Sequence, residues 1–224
     1  QETKVTDEQF PLDDLAAAGW HVLYAGQKSY NGVAMLSREP GELLATGLPT
    51  YEDPQRRVLA ARYGDWTVLN LYVPNGSEVG SDKYRYKLDW LDALIDYTGT
   101  LLEESDKLVI LGDFNIAPED RDVHDPAKWA GSVLVSEPER ERFRALLELG
   151  LTDTFRQFEQ PEAVFSWWDY RAAKFRRNHG LRIDLVLASE SAAGLCSGST
   201  VDIEPRRWDK PSDHAPAVAR FSAA

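Results

Sequence analysis

The sequence predicts an α+β fold in which β-strands pack as a sandwich and helices are few. Segments of strand length outnumber helical segments, the strand candidates occur in consecutive pairs, and the helical segments are amphipathic. No internal repeat, low-complexity run or linker rich in Pro, Gly or Ser divides the chain. Residues 1–224 are therefore predicted to form a single domain.

The first half of the chain is predicted to hold a short helix followed by two pairs of strands. Pro11 and two acids open the helix, which ends at Gly19. The step from Asn31 to Gly32 favours a turn inside the first strand pair, and the second pair turns at Gly64. The predicted strands are residues 20–25, 32–37, 58–63 and 66–73.

The second half is predicted to alternate between helices and single strands. Apolar residues recur at helical spacing from Asp82 to Glu104, which predicts one long amphipathic helix. A second helix is predicted to begin at Ser136, spaced with Glu139 as a capping box, and to end at Gly150. The strand candidates here are residues 107–111, 164–168, 181–188 and 215–221.

Composition excludes several classes of protein. A hydrophobic fraction of 43% argues against global disorder, and no apolar run approaches the ~20 residues of a membrane span. The single cysteine, Cys196, excludes an internal disulfide or a multi-cysteine zinc site and fits a reducing compartment. The formal net charge of -12, taken alone, argues against sequence-independent binding of nucleic acid.

Four short segments place acids, amides or an imidazole at the ends of predicted strands. Judged singly, Asp113 and Asn115 could cap a turn, and His214 could belong to a turn before a proline. Asp184 is harder to explain structurally, because it lies in an apolar strand, and we expect Arg182 to reach solvent rather than pair with it. The segments are residues 1–4, 112–115, 182–184 and 212–216.

Together these segments supply an oxygen-rich set of side chains with one imidazole and no nearby cysteine. Such sets suit Mg²⁺ or Mn²⁺ rather than zinc. Mg²⁺ commonly takes one or two protein carboxylates together with phosphate oxygens. The residues therefore indicate cleavage of a phosphoester.

Seven short segments follow one another along almost the whole chain: QETK at residues 1–4, YNGVA at 30–34, YVPNG at 72–76, GDFNIAP at 112–118, FSWWDYR at 165–171, GLRID at 180–184 and SDHAP at 212–216. In this order they resemble the bacterial exonuclease III family, the AP-endonuclease branch of the endonuclease/exonuclease/phosphatase superfamily. The resemblance implies a four-layer αββα sandwich of two sheets between helices, and duplex DNA with abasic sites or 3′ ends as the partner.

The resemblance also implies roles for individual residues. Glu2 would bind the catalytic Mg²⁺, with Asp213 and His214 contributing, and a second metal could lie at Asp113 and Asn115. Asp184 would orient His214, while Asn115 and Tyr72 would contact the scissile phosphate. Whether Asp113 or His214 takes the proton from water stays open. The implied catalytic residues are Tyr72, Asp113, Asn115, Asp184 and His214.

DNA contacts are implied in two regions. Trp167, Leu181 and Ile183 would wall a small apolar pocket for a sugar that lacks its base; ordinary core packing is the alternative for Trp167 and Trp168. The locally basic stretch would bind phosphates. Arg57 is a further candidate, although an exposed arginine pair without a DNA role fits as well. The basic stretch contains Arg171, Lys174, Arg176, Arg177 and Arg182.

The sequence departs from the family at its amino end, where a strand-helix-strand unit is expected before Glu2. The chain is accordingly predicted to be amino-terminally incomplete, with nothing holding Glu2 and a strand edge exposed. The predicted function is a Mg²⁺-dependent DNA-repair phosphodiesterase, acting as a cytoplasmic monomer. The alternatives are a phosphatase for a small phosphoester, or a DNA-binding remnant that is inactive through truncation.

Overall fold

Ten β-strands form the sheets of residues 1–222, the residues that the computed structural model describes. The strands are β1 (His21–Ala25), β2 (Val33–Ser37), β3 (Glu42–Ala45), β4 (Val58–Tyr63), β5 (Trp66–Tyr72), β6 (Lys107–Asp113), β7 (Leu151–Asp153), β8 (Asp184–Ser189), β9 (Cys196–Val201) and β10 (Ala217–Phe221).

Five α-helices accompany the strands. The longest has the predicted bounds, and the Ser81 hydroxyl caps it by accepting a hydrogen bond from the Tyr84 N–H. The predicted capping box of Ser136 and Glu139 is also present, and Gly150 follows the end of that helix with φ 101°. The helices are α1 (Leu12–Ala17), α2 (Asp82–Glu104), α3 (Pro126–Trp129), α4 (Glu137–Glu148) and α5 (Glu190–Gly194).

The strands form one six-stranded sheet and two separate two-stranded ribbons. The large sheet has the order β3-β4-β5-β6-β8-β7, and within it only the β5–β6 pair is parallel. Helix α2 provides the connection between these two strands, as a parallel pair requires. The ribbons are β1-β2 and β9-β10, both antiparallel.

The core lies on both faces of the six-stranded sheet. On one face, Trp90 and Leu94 of α2 and Phe143 of α4 pack with Leu69 and Ile110 of the central strands. On the other face, β1-β2 packs against β4 and β5, and β9-β10 packs against β6 and β8. This α+β arrangement of helices and stacked strands bears out the predicted fold class.

The prediction of a strand at residues 164–168 is wrong, because the structure has no strand there. Trp167 makes only isolated bridges, to Leu181 and His214. The reason lies in the Ser166 hydroxyl, which accepts hydrogen bonds from the backbone N–H groups of both Ile183 and Asp184, each at 3.0 Å. The Ser166 side chain thus takes the place of a backbone acceptor from a neighbouring strand. For the same reason, β8 begins at Asp184 rather than at the predicted Leu181.

Three short strands escaped the sequence analysis, because their patterns are weak. The strand β7 has only three residues, and β9 begins with Cys-Ser-Gly-Ser, which lacks an apolar alternation. The edge strand β3 carries a register irregularity against β4. Within residues 1–222, no helix has both the length and the apolar character needed to cross a membrane.

Candidate active site

A cleft of about 570 Å³ opens where β6 ends, where β8 begins and where the last loop before β10 passes them. The sheet register places Asp113, the last residue of β6, opposite Asp184, the first residue of β8. The loop contributes the carboxylate of Asp213 and the imidazole of His214, and the amino end of the chain contributes Glu2. The residues with ionisable side chains that line the cleft are Glu2, Lys4, Asp113, Tyr170, Asp184, Asp213 and His214.

Gly112 is required for this register. Its φ is +141°, and a Cβ at this position would lie 1.9 Å from the carbonyl oxygen of Leu71. Gly112 and Leu71 are paired residues of β6 and β5. The parallel strand therefore approaches too closely for any side chain just before Asp113.

His214 is oriented by Asp184. Its Nδ1 lies 2.8 Å and 3.0 Å from the two carboxylate oxygens of Asp184. Burial acts to lower the pKa of His214, but the charge and hydrogen bond of Asp184 outweigh it and raise the pKa to about 9. The imidazole is thus protonated at neutral pH, and Nε2 is its remaining donor.

Asp113 is buried beside two other titratable groups. Burial, and then the negative charge of Asp184, raise the pKa of Asp113 to about 7, against the opposing effects of His214 and the Asn115 amide. Its Oδ1 accepts the backbone N–H of Asn115 at 2.8 Å, and its Oδ2 lies 3.2 Å from Asn115 Nδ2. A carboxyl group with such a pKa can exchange a proton near neutrality.

Asn115 stands in a left-handed conformation (φ 49°) and is fixed by neighbouring loops. Its Nδ2 donates to the carbonyl of Val73 at 2.9 Å, and its Oδ1 accepts from Asn75 Nδ2 at 3.2 Å. Its carbonyl accepts from Lys87 Nζ at 2.6 Å. The amide is therefore already engaged, mainly in holding the turn that carries Asp113.

The expectation that nothing holds Glu2 is wrong. The Tyr72 hydroxyl donates to Glu2 Oε1 at 2.8 Å, and Lys4 Nζ lies 3.1 Å from Glu2 Oε2. The backbone N–H of Thr3 donates to the carbonyl of Gly32, which ties the segment to the start of β2. Burial acts to raise the pKa of Glu2, yet these bonds lower it, so the carboxylate is charged.

A carboxylate-rich site of this kind suits a divalent cation. Asp113, Asp184 and, once its imidazole has lost a proton, His214 each offer a ligand atom, and these atoms lie within 4.8 Å of one another. Glu2 and Asp213 line the same cleft, whereas Asn115 is not among the residues that line it. Because burial and the neighbouring charge of Asp184 raise the pKa of Asp113, a bound cation would relieve the repulsion between the two carboxylates. The donor set therefore fits a hard, oxygen-preferring metal ion.

The residues expected to form a sugar pocket lie close together, but two of them are inside the core. Leu181 is 0% exposed and Ile183 is 2% exposed, in a cluster against which the half-buried Trp167 packs. Trp167 Nε1 donates to Asp213 Oδ2 at 3.0 Å, which links this cluster to the cleft. Trp168 is buried in the core, which agrees with the alternative that the two tryptophans serve ordinary core packing.

The predicted basic stretch does not form one surface. Arg182 is buried, and its guanidinium pairs with Asp122 and Asp153, so the expectation that it reaches solvent is wrong. Arg171 pairs with Asp169, from which Lys174 is 3.9 Å away. Within this basic stretch, the exposed arginines that form no ion pair with the described residues are Arg176 and Arg177.

Arg57 is also not an exposed arginine. It is 9% exposed, lies over the ring of Tyr72, and donates to Gln55 Oε1 and to the carbonyl of Tyr72. It lines a separate cleft of about 430 Å³ with Tyr30, which is 72% exposed. Its role in binding DNA stays a prediction.

Two supporting residues escaped the sequence analysis. Lys87 is fully buried and bonds to Glu139 and to the carbonyls of Asn75 and Asn115. Its position in the apolar stripe of α2, between Tyr84 and Leu91, was a readable signal, since a lysine there must find a partner. Ser166, in contrast, carried no signal, because a serine in a loop is ordinary.

The chain is similar in sequence and structure to known proteins. Residues 1–214 match the model of the Endonuclease/Exonuclease/phosphatase family. Exodeoxyribonuclease III of Haemophilus influenzae is 37% identical over 99% of this chain and 88% of its own length.

Two solved structures are closely similar. The 3′ phosphatase NExo from Neisseria, bound to a product DNA hairpin, superposes with a TM-score of 0.97 at 44% identity. An AP endonuclease from Archaeoglobus fulgidus superposes with a TM-score of 0.94 at 38% identity. Each match covers 99% of this chain and 87% of the other.

Proposed function

The chain belongs to the endonuclease/exonuclease/phosphatase family, and on that premise we propose that it is a Mg²⁺-dependent DNA-repair phosphodiesterase. It is a hydrolase of DNA phosphodiester bonds. Its proposed reactions are incision at abasic sites and removal of nucleotides from 3′ ends of duplex DNA. Relatives named as exodeoxyribonuclease III and as AP endonuclease support both.

The observation that carries this proposal is the Asp113–Asp184–His214 cluster. In the proposed reaction, Asp113 takes a proton from the attacking water, since its raised pKa suits a general base near neutrality. His214, protonated and held by Asp184, donates from Nε2 to a phosphoryl oxygen and offsets the charge that develops there. These assignments favour Asp113 over His214 as the base.

The metal would be held by Glu2 and Asp213, which line the same cleft, so that Asp113 stays free to take the proton. When bound, Mg²⁺ would act as a Lewis acid on the phosphate. Tyr72 fixes the Glu2 carboxylate from behind, and burial and the bond to Glu2 keep the tyrosine protonated by raising its pKa.

The remaining proposals concern the setting of the reaction. We propose that residues 1–224 act as one domain and as a cytoplasmic monomer; the lone cysteine supports a reducing compartment. Trp167, Leu181 and Ile183 would select the abasic sugar only if the loop that carries Trp167 moves away from the buried leucine. Tyr72 and Asn115 keep their proposed contacts with the scissile phosphate, for which each would exchange a present hydrogen bond.

A cleavage assay tests the proposal. The 224-residue chain is incubated with a duplex carrying an abasic site, a recessed 3′ end or a 3′ phosphate. We expect Mg²⁺-dependent product that stops in EDTA. Undiminished cleavage in EDTA would refute the metal requirement, and faster hydrolysis of inositol phosphates than of DNA would favour the small-phosphoester alternative.

The 3′-phosphate substrate has its own justification. The similar Neisseria structure is named a 3′ phosphatase, so removal of a 3′ phosphate is a second candidate reaction for the same cleft. Both reactions place a phosphate against Asp113 and His214. The ratio of the two products, measured on one labelled duplex, assigns the main activity.

A further inference from the structure

A second cleft, of about 680 Å³, lies apart from the catalytic cleft. Among residues 1–222, none lines both cavities. Its ionisable lining residues are Arg121, His124, Arg156, Glu162, Arg177 and His179. Three guanidinium groups thus face one carboxylate, in a chain whose formal net charge is -12. The reaction proposed above uses none of these residues.

The guanidinium groups keep free hydrogen-bond donors. Arg177 makes no side-chain hydrogen bond or ion pair with the described residues, and it is exposed. Arg121 donates a hydrogen bond from Nε to the carboxylate of Glu119, and both of its terminal nitrogens stay available. Glu119 itself does not line the cleft. An anion entering the cleft would therefore meet free donors, with Glu162 as the one carboxylate among the described lining residues.

Arg156 is held in place from behind. Its Nη2 pairs with Asp122, a fully buried carboxylate that also binds Arg182. Its Nε is buried without a hydrogen-bond partner among the described residues. Its Nη1 makes no hydrogen bond with the described residues either and, unlike Nε, is not buried, so it stays available to a ligand oxygen. The site is thus partly pre-organised, because Asp122 fixes the guanidinium before any ligand arrives.

The second cleft is lined by aromatic side chains as well as by arginines, so it suits a ligand that joins an anionic group to an apolar part. Phe155 and Phe165 contribute to its lining. The rings of His124 and His179 stack with centroids 4.8 Å apart, and Nδ1 of His124 lies 3.2 Å from the carbonyl of Gly180. The segment ending at His179 leads directly into Leu181 and Asp184, so this cleft borders the chain segment that builds the catalytic site.

We propose that the second cleft binds a phosphate group through the guanidinium groups of Arg121, Arg156 and Arg177. The phosphate comes either from a DNA strand that also occupies the catalytic cleft or from a free phosphate ester. The first source rests on the proposed function, whereas the site itself does not. Three donors on separate loops recognise a tetrahedral anion better than any single arginine does.

The test follows the arginine Nε–H signals of ¹⁵N-labelled protein by NMR, in EDTA. Inorganic phosphate is the first probe, and a duplex with a non-cleavable phosphorothioate linkage is the second. We expect the Arg156 signal to shift and saturate, and the doubly substituted Arg121→Gln/Arg177→Gln protein to weaken that binding at least tenfold. The control Arg62→Gln/Arg144→Gln loses the same charge outside both clefts, at side chains that are 42% and 48% exposed.

Each outcome decides the proposal. A shift with both probes, or with the duplex alone, supports a strand phosphate, and the double substitution should then lower the salt slope of DNA binding by about 1. A shift with inorganic phosphate alone supports the free ester and rejects the DNA source. No shift with either probe, or equal weakening in the control, overturns the site. Cleavage is measured separately, so a failed nuclease assay would leave this result intact.

Discussion

Asp113 and Asp184 are the terminal antiparallel pair of β6 and β8, so the sheet itself brings the two carboxylates together. Burial and the charge of Asp184 raise the pKa of Asp113, and His214 lies against Asp184. One register thus places the proposed base beside the acid that holds the imidazole. A slip of β8 by one residue against β6 would turn Asp184 to the other face of the sheet and leave Asp113 without it.

The substitution Asp184→Asn should lower turnover far more than DNA affinity. The amide no longer fixes or stabilises a protonated His214, so we expect the single-turnover cleavage rate to fall by about 10²-fold or more. The Kd for an uncleavable duplex should hardly change. The control is Asp202→Asn, an exposed acid outside the cleft. Equal losses in rate and affinity would contradict the assigned role of Asp184.

The metal-free protein should lose stability as the pH rises. The pKa of His214 is about 9 when folded against an ordinary 6.5, so the folded state holds this proton more tightly than the unfolded chain. The stabilisation is complete below pH 6.5 and is lost as the pH passes about 9. The raised pKa of Asp113 acts in the same direction at lower pH.

Denaturant unfolding in EDTA across this pH range measures the effect. The difference in unfolding free energy between the unsubstituted protein and His214→Gln should shrink toward high pH. His21→Gln, at an exposed residue of β1, supplies the control. A difference that stays constant with pH would show that Asp184 does not stabilise the protonated imidazole.

The substitution Tyr72→Phe should weaken metal binding. Without the hydroxyl, Glu2 loses the bond that holds its carboxylate toward the cleft. Removal of a partner behind a metal ligand commonly costs about 10–100-fold in metal affinity. The Mg²⁺ concentration for half-maximal cleavage should rise accordingly, whereas Tyr63→Phe in β4 should leave it unchanged. An unaltered Mg²⁺ requirement in Tyr72→Phe would remove Glu2 from the metal site.

The substitution Gly112→Ala should destabilise the protein. The added Cβ would overlap the Leu71 carbonyl oxygen, and forced overpacking of this kind costs about 1–3 kcal/mol. Gly99→Ala is the matched control, because a Cβ there meets nothing within 4 Å, and alanine stabilises a helix interior by about 0.5–1 kcal/mol. Thermal unfolding should therefore shift in opposite directions for the two variants. Equal shifts would refute the close approach of β5 and β6.

The buried Lys87–Glu139 pair should show strong coupling. Either Lys87→Met or Glu139→Gln alone leaves an uncompensated buried group, at a cost of about 3–5 kcal/mol. The double substitution should recover a large part of that loss. Chemical denaturation of the four proteins gives the coupling energy, and additive losses would mean that the two groups act independently.

The sequence reveals those parts of the fold that depend on local pattern. The spacing of apolar residues predicts α2 with its observed bounds, and the Ser136 capping box predicts the start of α4. The contacts that escape prediction join side chains distant in the chain. Glu2 meets Tyr72, Arg182 meets Asp122, and Ser166 takes two backbone donors of the β8 region. Such contacts depend on which loops meet, and local periodicity carries no information about that.

The pairing of β6 with β8 also decides when activity can first appear during synthesis. Asp113 leaves the ribosome long before Asp184, and His214 follows later still. No shorter nascent chain can assemble the cluster, because closing so long a loop must precede any gain from the contacts that it makes. A chain that is cut short before His214 therefore lacks the complete Asp113–Asp184–His214 cluster, even when the whole six-stranded sheet has been synthesised.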